Sequence, residues 1–142
     1  MRFWDTSALL PLVVAERETA RAERWLREDA RVVVWTLTRV ELLSALARRR
    51  RRQAPGAARR LLAARRELLA AWERWSEVTA VDLVRRHAER LVESHPLRAA
   101  DALQLGAALV AAEDDPAGLD FVTLDRQQAL AAEHEGFRVL GP

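Results

Sequence analysis

Short runs of β-branched and aromatic residues alternate with segments of helical periodicity along the whole chain. The sequence predicts five strands, which cover residues 2–4, 32–35, 77–79, 121–123 and 137–140. Between these runs, apolar residues recur at helical spacing, as at Val40, Leu43 and Ala47. Strands that alternate with helices form parallel sheets covered by helices on both faces. We therefore predict an α/β fold, a three-layer α/β/α sandwich with a central, mainly parallel sheet of about five strands.

Proline and glycine indicate where the helices are interrupted. Two helices are expected between the second and third strands, separated at Pro55–Gly56, and two more between the third and fourth, separated near His95–Pro96. No internal repeat, linker or low-complexity segment is present. A chain of 142 residues has the size of one ordinary domain. We expect a single domain over residues 1–142.

The arginines are distributed unevenly. The pI is about 10.7 although the net charge is only +2, because all 23 basic residues are Arg and no Lys, Tyr or Cys is present. The high pI is therefore a consequence of composition. Nine arginines and no acidic residue lie between Arg48 and Arg66. This block is explained equally well by contacts with phosphates or an acidic partner and by a solvated helix face.

The absence of cysteine and the short apolar runs limit the chemistry and the cellular locations that are possible for the protein. Without cysteine there is no disulfide, no thiolate metal site and no cysteine nucleophile. The apolar stretch 8–15 is too short to span a bilayer. Asp5 also disfavours a signal peptide, because it lies where the basic n-region should be. We expect a cytoplasmic protein with no membrane segment.

Four acidic residues lie where a parallel sheet would bring them together. Asp5 follows the first strand directly, Glu41 lies in the first turn after the second, and Asp125 comes just after the fourth. Asp101 lies in the first turns of the helix that follows Pro96. Because the carboxyl ends of parallel strands share one edge, and ligands bind in the crevice there, we expect all four acids to face one crevice.

Each acid also has a purely structural explanation. Asp5 and Asp125 could be helix N-caps, and Thr38 with Glu41 matches the S/T-x-x-E capping box. Asp101 could complement a helix dipole. Taken singly, the cap is the better explanation for Glu41 and Asp125. Asp5 and Asp101 lie inside apolar runs, where a solvated cap is less natural, so the set of four favours a shared role.

Four carboxylates in one crevice require a cation. Two of them about 5 Å apart repel by roughly 3 kcal/mol at an effective dielectric constant of 20. An all-oxygen site suits Mg²⁺, or Mn²⁺, better than Zn²⁺. Nearby hydroxyls at Ser7 and Thr123 could orient the acids. The three histidines, His87, His95 and His134, are predicted to be surface or helix-end residues and not ligands. Such a site can activate water for attack on a phosphodiester, which is nuclease chemistry.

Four segments together carry a resemblance to a known family. They are residues 4–10 (WDTSALL), 38–46 (TRVELLSAL), 97–105 (LRAADALQL) and 121–125 (FVTLD). In order and spacing they resemble the PIN domain, and specifically the VapC-type toxins of bacterial toxin–antitoxin pairs. The resemblance implies an α/β/α sandwich and a Mg²⁺- or Mn²⁺-dependent endoribonuclease acting on RNA. It also implies a homodimer and a cognate antitoxin whose C-terminal segment wraps the toxin and blocks the acidic cleft.

The resemblance also implies roles for individual residues. It places the metal-binding catalytic acids at Asp5, Glu41, Asp101 and Asp125. A supporting hydroxyl is placed at Ser7 or Thr123. The run from Arg48 to Arg52 is more basic than is typical of the family, which could alter contacts with RNA or antitoxin.

Other α/β proteins with acids at strand ends are disfavoured. Receiver domains, haloacid-dehalogenase-type phosphatases and P-loop proteins all use a lysine near phosphate, and this chain has none. A non-catalytic RNA- or protein-binding module with a PIN-like fold is the stronger alternative. In that case Trp25, Trp72 and Trp75 could be interface anchors, although tryptophans on amphipathic helices are more often core residues.

Overall fold

Five short parallel strands form one sheet at the centre of the computed structural model, which describes all residues 1–142. The strands are β1 (Arg2–Trp4), β2 (Val32–Trp35), β3 (Ser76–Val78), β4 (Asp120–Val122) and β5 (Arg138–Leu140). Their spatial order is β3-β2-β1-β4-β5, and every neighbouring pair is parallel. In the register, Phe3 of β1 lies between Val33 of β2 and Phe121 of β4. The predicted α/β fold with a central parallel sheet is confirmed.

Seven α-helices connect the strands. They are α1 (Thr6–Val13), α2 (Thr19–Glu28), α3 (Thr38–Arg51), α4 (Pro55–Trp72), α5 (Val81–Ser94), α6 (Ala99–Ala111) and α7 (Arg126–His134). A 3₁₀ turn, Pro116–Gly118, precedes β4. The two predicted interruptions are confirmed: Pro55 is the first residue of α4, and the chain between α5 and α6 contains His95 and Pro96. Predicted and observed strand ends differ by at most one residue.

The side chains of each strand alternate between two hydrophobic cores, one on each face of the sheet. Phe3, Val33 and Phe121 belong to a core shared with α5, α6 and α7. Trp4 and Val34 point to the opposite face, where they pack with residues of α1 to α4. Both faces are therefore covered by helices, which accounts for the near-continuous apolar character of β1 and β2. This is the predicted three-layer arrangement.

The α5–α6 contact depends on a glycine. A Cβ placed on Gly106 would lie 2.8 Å from the Val84 carbonyl oxygen and 3.2 Å from the Ala88 nitrogen. No side chain fits at that distance, so Gly106 allows α6 to lie directly against the backbone of α5. This contact helps to fix the position of α6, whose first turn carries Asp101.

The tryptophans belong mostly to the interior. Trp25 and Trp72 are buried in the core on the α1–α4 side, and Trp75 packs against that core while partly exposed. The core explanation, not the interface-anchor explanation, is therefore correct for Trp25 and Trp72. No helix combines the length and the apolar character that crossing a membrane requires.

Candidate metal centre at the carboxyl edge of the sheet

The ends of β1 and β4 bring Asp5 and Thr123 into contact. The two strands pair in parallel up to Trp4 and Val122, and the Asp5 N–H donates to the Val122 carbonyl at 3.0 Å. Directly after β4, the Thr123 hydroxyl donates to Asp5 Oδ2 at 2.7 Å. Positions far apart in the sequence are thus neighbours because both follow central strands.

Asp5 is a buried carboxylate without a basic partner. Its residue surface is only 2 % exposed. Oδ1 accepts hydrogen bonds from the Ser7 hydroxyl at 2.6 Å and from the Ala8 N–H at 3.1 Å, so Asp5 also caps α1, a role that its apolar sequence context had disfavoured. Burial raises the pKa of Asp5 from 3.8 to about 6, although hydrogen bonds from Ser7 and Thr123 partly oppose the shift. The site therefore holds Asp5 where its negative charge is costly.

Ser7 and Thr123 also hold the chain after β4. The Ser7 hydroxyl oxygen accepts from the Leu124 N–H at 2.8 Å, and the Thr123 hydroxyl oxygen accepts from the Asp125 N–H at 3.0 Å. Each hydroxyl therefore donates to Asp5 and accepts from the segment that carries Asp125. These contacts are those expected of side chains that orient acids.

Glu41 does not form the predicted capping box. Thr38 is the first residue of α3, the N-cap position is occupied by Leu37, and no side chain caps this helix. Glu41 Oε2 instead accepts from the Thr6 hydroxyl at 2.7 Å, and Oε1 accepts from the Gln104 amide at 3.2 Å. The capping explanation is therefore wrong for Glu41, because stronger partners on α1 and α6 hold its carboxylate.

Asp101 and Asp125 lie close enough to affect each other. Partial burial raises the pKa of Asp101, the negative charge of Asp125 raises it further, and Arg98 opposes the shift. Asp125 caps α7 by accepting from the Gln128 N–H at 2.9 Å, so the cap explanation holds for this residue. The Gln128 side chain donates to the Asp101 carbonyl at 3.1 Å and thereby links α7 to α6.

All four acids line one open pocket of about 510 Å³. Asp5, Glu41, Asp101 and Asp125 are on its wall, together with Thr6, Ser7 and Gln104. Arg48 is the only basic residue of the lining. A second depression of about 590 Å³ adjoins this pocket along Asp101 and Asp125, and its wall includes Arg98 and Arg126. The carboxylates therefore lie between arginines on two sides.

The four acids do not form the compact carboxylate cluster that the sequence analysis assumed. No three Asp, Glu or His side chains lie close enough together to hold one metal ion. Asp5 and Glu41 are engaged by hydroxyl and amide donors, and mutual repulsion favours separation of the acids. The donor set remains all oxygen. It fits a hard cation that is held by one or two carboxylates and keeps several waters, as Mg²⁺ does.

The histidines lie outside this pocket. His95 Nε2 and Glu135 Oε1 are 2.7 Å apart, and the rings of His95 and His134 stack with their centroids 6.0 Å apart. His87 lies 3.5 Å from an Asp114 carboxylate oxygen. The helix-end placement is correct for His95 and His134, whereas His87 is within α5.

Sequence reasoning missed three residues of the pocket's hydrogen-bond network. Gln104 Nε2 lies 2.7 Å from the Thr38 hydroxyl oxygen, 2.9 Å from the Thr6 hydroxyl oxygen and 3.2 Å from Glu41 Oε1, so its two hydrogens are shared among three acceptors. One signal was available: Gln104 is an amide in an otherwise apolar stretch and lies one helical turn after Asp101. The contacts of Thr6 and Thr38 depend on how α1, α3 and α6 pack.

The fold and the pocket together define a class of protein. A parallel sheet with helices on both faces and an acidic pocket at its carboxyl edge is an architecture suited to cation and phosphate chemistry. The family model described as PIN domain matches residues 2–134. The chain therefore belongs to the PIN domain family. No protein with a curated function matches it by sequence.

Solved structures share the fold over the full length of the chain. A toxin–antitoxin complex from Klebsiella pneumoniae is similar with a TM-score of 0.68 at 15% identity, covering 99% of this chain and 96% of that one. FitAcB from Neisseria gonorrhoeae gives 0.67 at 19% identity with the same coverages, 99% and 96%. PAE2754 from Pyrobaculum aerophilum gives 0.62 at 23% identity, covering 99% of this chain and 82% of that one. At these identities the likeness concerns the fold.

Proposed function

We propose that this protein is a Mg²⁺- or Mn²⁺-dependent endoribonuclease and the toxin of a toxin–antitoxin pair of the VapC type. The observation that carries the proposal is the pocket of a PIN domain chain in which Asp5, Glu41, Asp101 and Asp125 share one wall. Similar folds in proteins described as a toxin–antitoxin complex and as FitAcB support the toxin assignment. Such a toxin acts on RNA in the cytoplasm.

The surroundings of each acid determine how it would contact a metal ion. In this proposal Asp5, Glu41, Asp101 and Asp125 hold the ion or ions. A bound divalent ion supplies an activated water and stabilises the charge that develops on the attacked phosphodiester. Ser7 and Thr123 keep the Asp5 carboxylate in one orientation through bonds of 2.6 and 2.7 Å. Because Asp5 is buried, any ion it contacts is attracted in a region of weak screening.

Arg48 is the arginine of the basic block best placed to contact RNA. It is exposed, forms no ion pair, and has one weak contact, to the Ser44 hydroxyl at 3.5 Å. The neighbouring Arg49 is paired with Glu16 at 2.8 Å. We therefore assign phosphate contacts to Arg48, and to Arg98 and Arg126 on the other side of the acids. Within the Arg48–Arg52 run, this assigns the contact with RNA to Arg48.

The proposed protein partners also have candidate surfaces. A mainly apolar depression of about 270 Å³ between the end of α1 and α4 includes Val13, Val14 and Leu61 and suits an antitoxin segment. For the proposed homodimer, the helices after β2 and β3 begin at the same edge of the sheet, because Trp35 and Val78 are paired. There Leu37, Val40, Val81 and Leu83 are exposed by 45%, 62%, 57% and 48%. Light scattering of the purified protein tests the dimer.

The nuclease proposal is tested with the purified protein and a panel of RNAs. Cleavage is expected with Mg²⁺ or Mn²⁺ and is expected to stop in EDTA. The melting temperature should rise with Mg²⁺, because an ion that binds only the folded state stabilises it. Asp82→Asn, at an exposed residue of α5, is the control and should behave like the wild type. A folded protein that shows neither effect contradicts the proposal and favours a non-catalytic binding module.

A further inference from the structure

A single buried amide on α6 contacts α1 and α3, and these three helices carry or follow three of the four acids. Gln104 lies on α6, one turn after Asp101. Its Nε2 donates to Thr6 on α1 and to Thr38 on α3 at 2.9 and 2.7 Å. It also lies 3.2 Å from Glu41 Oε1. Thr6 directly follows Asp5 in the chain, so this amide connects the segments of Asp5, Glu41 and Asp101.

Gln104 and Thr6 hold the Glu41 carboxylate by both oxygens. Thr6 donates its hydroxyl proton to Oε2 at 2.7 Å, while the Gln104 amide reaches Oε1. The Thr6 oxygen in turn accepts from Gln104, so the three groups form a closed triangle. A glutamate held at both oxygens loses most of its rotamer freedom. Its carboxylate is therefore preset on the pocket wall without a basic residue that would neutralise it.

The oxygen of the Gln104 side-chain amide indicates that this residue does more than stabilise the fold. Gln104 Oε1 is buried and has no hydrogen-bond partner. A buried acceptor without a partner costs free energy, and the neighbours Ala102, Leu105 and Leu109 belong to an apolar core. An apolar residue of the same volume would suit that core better. Such an apolar residue would, however, lack the Nε2 donor that Gln104 provides.

We propose that Gln104 is a positioning residue that fixes the Glu41 carboxylate relative to Asp5 and Asp101 and so tunes the affinity of the pocket for a divalent ion. The inference rests on the proposed nuclease function. Gln104 acts through Glu41 and does not contact the RNA. Its loss therefore changes ion affinity and turnover but not the binding of RNA.

The test compares wild type with Gln104→Met, which keeps the length of the side chain and removes both donors. Electron paramagnetic resonance measures Mn²⁺ affinity, and single-turnover kinetics separate kcat from KM. We expect Mn²⁺ affinity and kcat to fall by about 10- to 100-fold, with KM for RNA unchanged. Gln53→Met, at an exposed glutamine between α3 and α4, is the matched control and should match the wild type.

A double-mutant cycle with Glu41→Ala distinguishes positioning of the Glu41 carboxylate from a general structural effect. If Gln104 acts through Glu41, Gln104→Met should lower Mn²⁺ affinity no further in the Glu41→Ala background. Leu68→Val, on the buried face of α4, lowers stability and should leave Mn²⁺ affinity unchanged. A full additional loss in the double variant, or a folded Gln104→Met with wild-type affinity and kcat, overturns the positioning role alone. Wild-type protein that neither binds Mn²⁺ nor cuts RNA overturns the proposed function as well.

Discussion

Buried charges are paired with opposite charges at the start of β1 but not at its end. At its start, Arg2 donates to Asp120 at 3.2 Å, to Glu28 at 3.1 Å and to the Trp25 carbonyl, and Arg138 donates to the same Asp120 at 2.6 Å. At its end, Asp5 has hydroxyl and backbone partners but no basic residue. The start of β1, which we call the closed end, therefore carries charges paired with opposite charges. The end of β1, which we call the open end, carries carboxylates without a basic partner.

The pKa shifts follow this difference. The guanidinium groups of Arg138 and Arg2 lower the pKa of Asp120, whereas burial raises the pKa values of Asp5 and Asp101. Charge pairing at the start of β1 stabilises the fold by itself. Under the proposed function, a bound cation would offset the cost of the buried carboxylate at the end of β1. The two ends of β1 thus differ in whether the buried charges have partners of opposite charge within the chain.

The largest expected effect is on cleavage. Asp5→Asn keeps the shape of the side chain and its bonds to Ser7 and Ala8 but removes the charge. We expect the rate of RNA cleavage to fall at least about 100-fold, since contact with a catalytic ion is worth several kcal/mol. Gel assays at saturating Mg²⁺ measure this. An Asp5→Asn variant that cuts RNA at the wild-type rate would contradict a ligand role for the open end.

The second prediction concerns pH. Asp5 has a pKa of about 6 when folded and 3.8 ordinarily, so the folded state holds its proton more tightly. As pH rises from about 3.8 to about 6, the free energy of unfolding of the ion-free wild type should therefore fall by about 3 kcal/mol relative to that of Asp5→Asn. Below pH 3.8 this contribution is fully present, and above about pH 6 it is gone. Urea denaturation of both proteins in EDTA gives the difference, from which groups common to both cancel. A flat difference would mean that Asp5 is not desolvated.

The third prediction concerns the closed end. Asp120→Asn removes the charge that Arg2 and Arg138 share and leaves a largely buried Arg2 short of a partner. We expect a loss of about 1–3 kcal/mol in unfolding free energy at neutral pH. Because the pKa of Asp120 is lowered, the wild-type advantage should disappear as pH falls through the folded pKa. Asp82→Asn, whose pair with Arg85 is exposed, should change little. Equal losses in both variants would remove the distinction between the two ends.

The smallest expected effect is on RNA binding. Arg48→Gln removes the one basic residue on the wall of the acid pocket, so RNA affinity should fall several-fold and the salt slope by about one. Arg86→Gln, at an exposed arginine of α5 without an ion pair, is the matched control. Filter binding at several salt concentrations in EDTA measures both quantities. An unchanged slope would exclude Arg48 from the phosphate contacts.

Local sequence patterns were sufficient to predict the elements and their order. Period-two and helical patterns are local, so the strands, the interruption before Pro55 and the parallel α/β arrangement could be predicted. The order of elements also predicted that Asp5, Glu41, Asp101 and Asp125 would face one pocket, because all four follow strands or begin helices at the same edge. The N-cap role of Asp125 was predicted correctly, since a cap is set within one turn, whereas the cap that Asp5 forms had been disfavoured because apolar residues surround it in the sequence.

The contacts of each side chain, in contrast, depended on how the helices pack around the sheet. The capping box at Glu41 was wrong because α1 and α6 bring Thr6 and Gln104 within 2.7 and 3.2 Å of its carboxylate. The separation of the acids, the burial that raises the pKa of Asp5, and the pairing of Arg2 with Asp120 likewise join distant positions. Sequence patterns report the face on which a residue lies. Distances of a few ångströms between elements depend on how whole helices pack, and no local pattern contains that information.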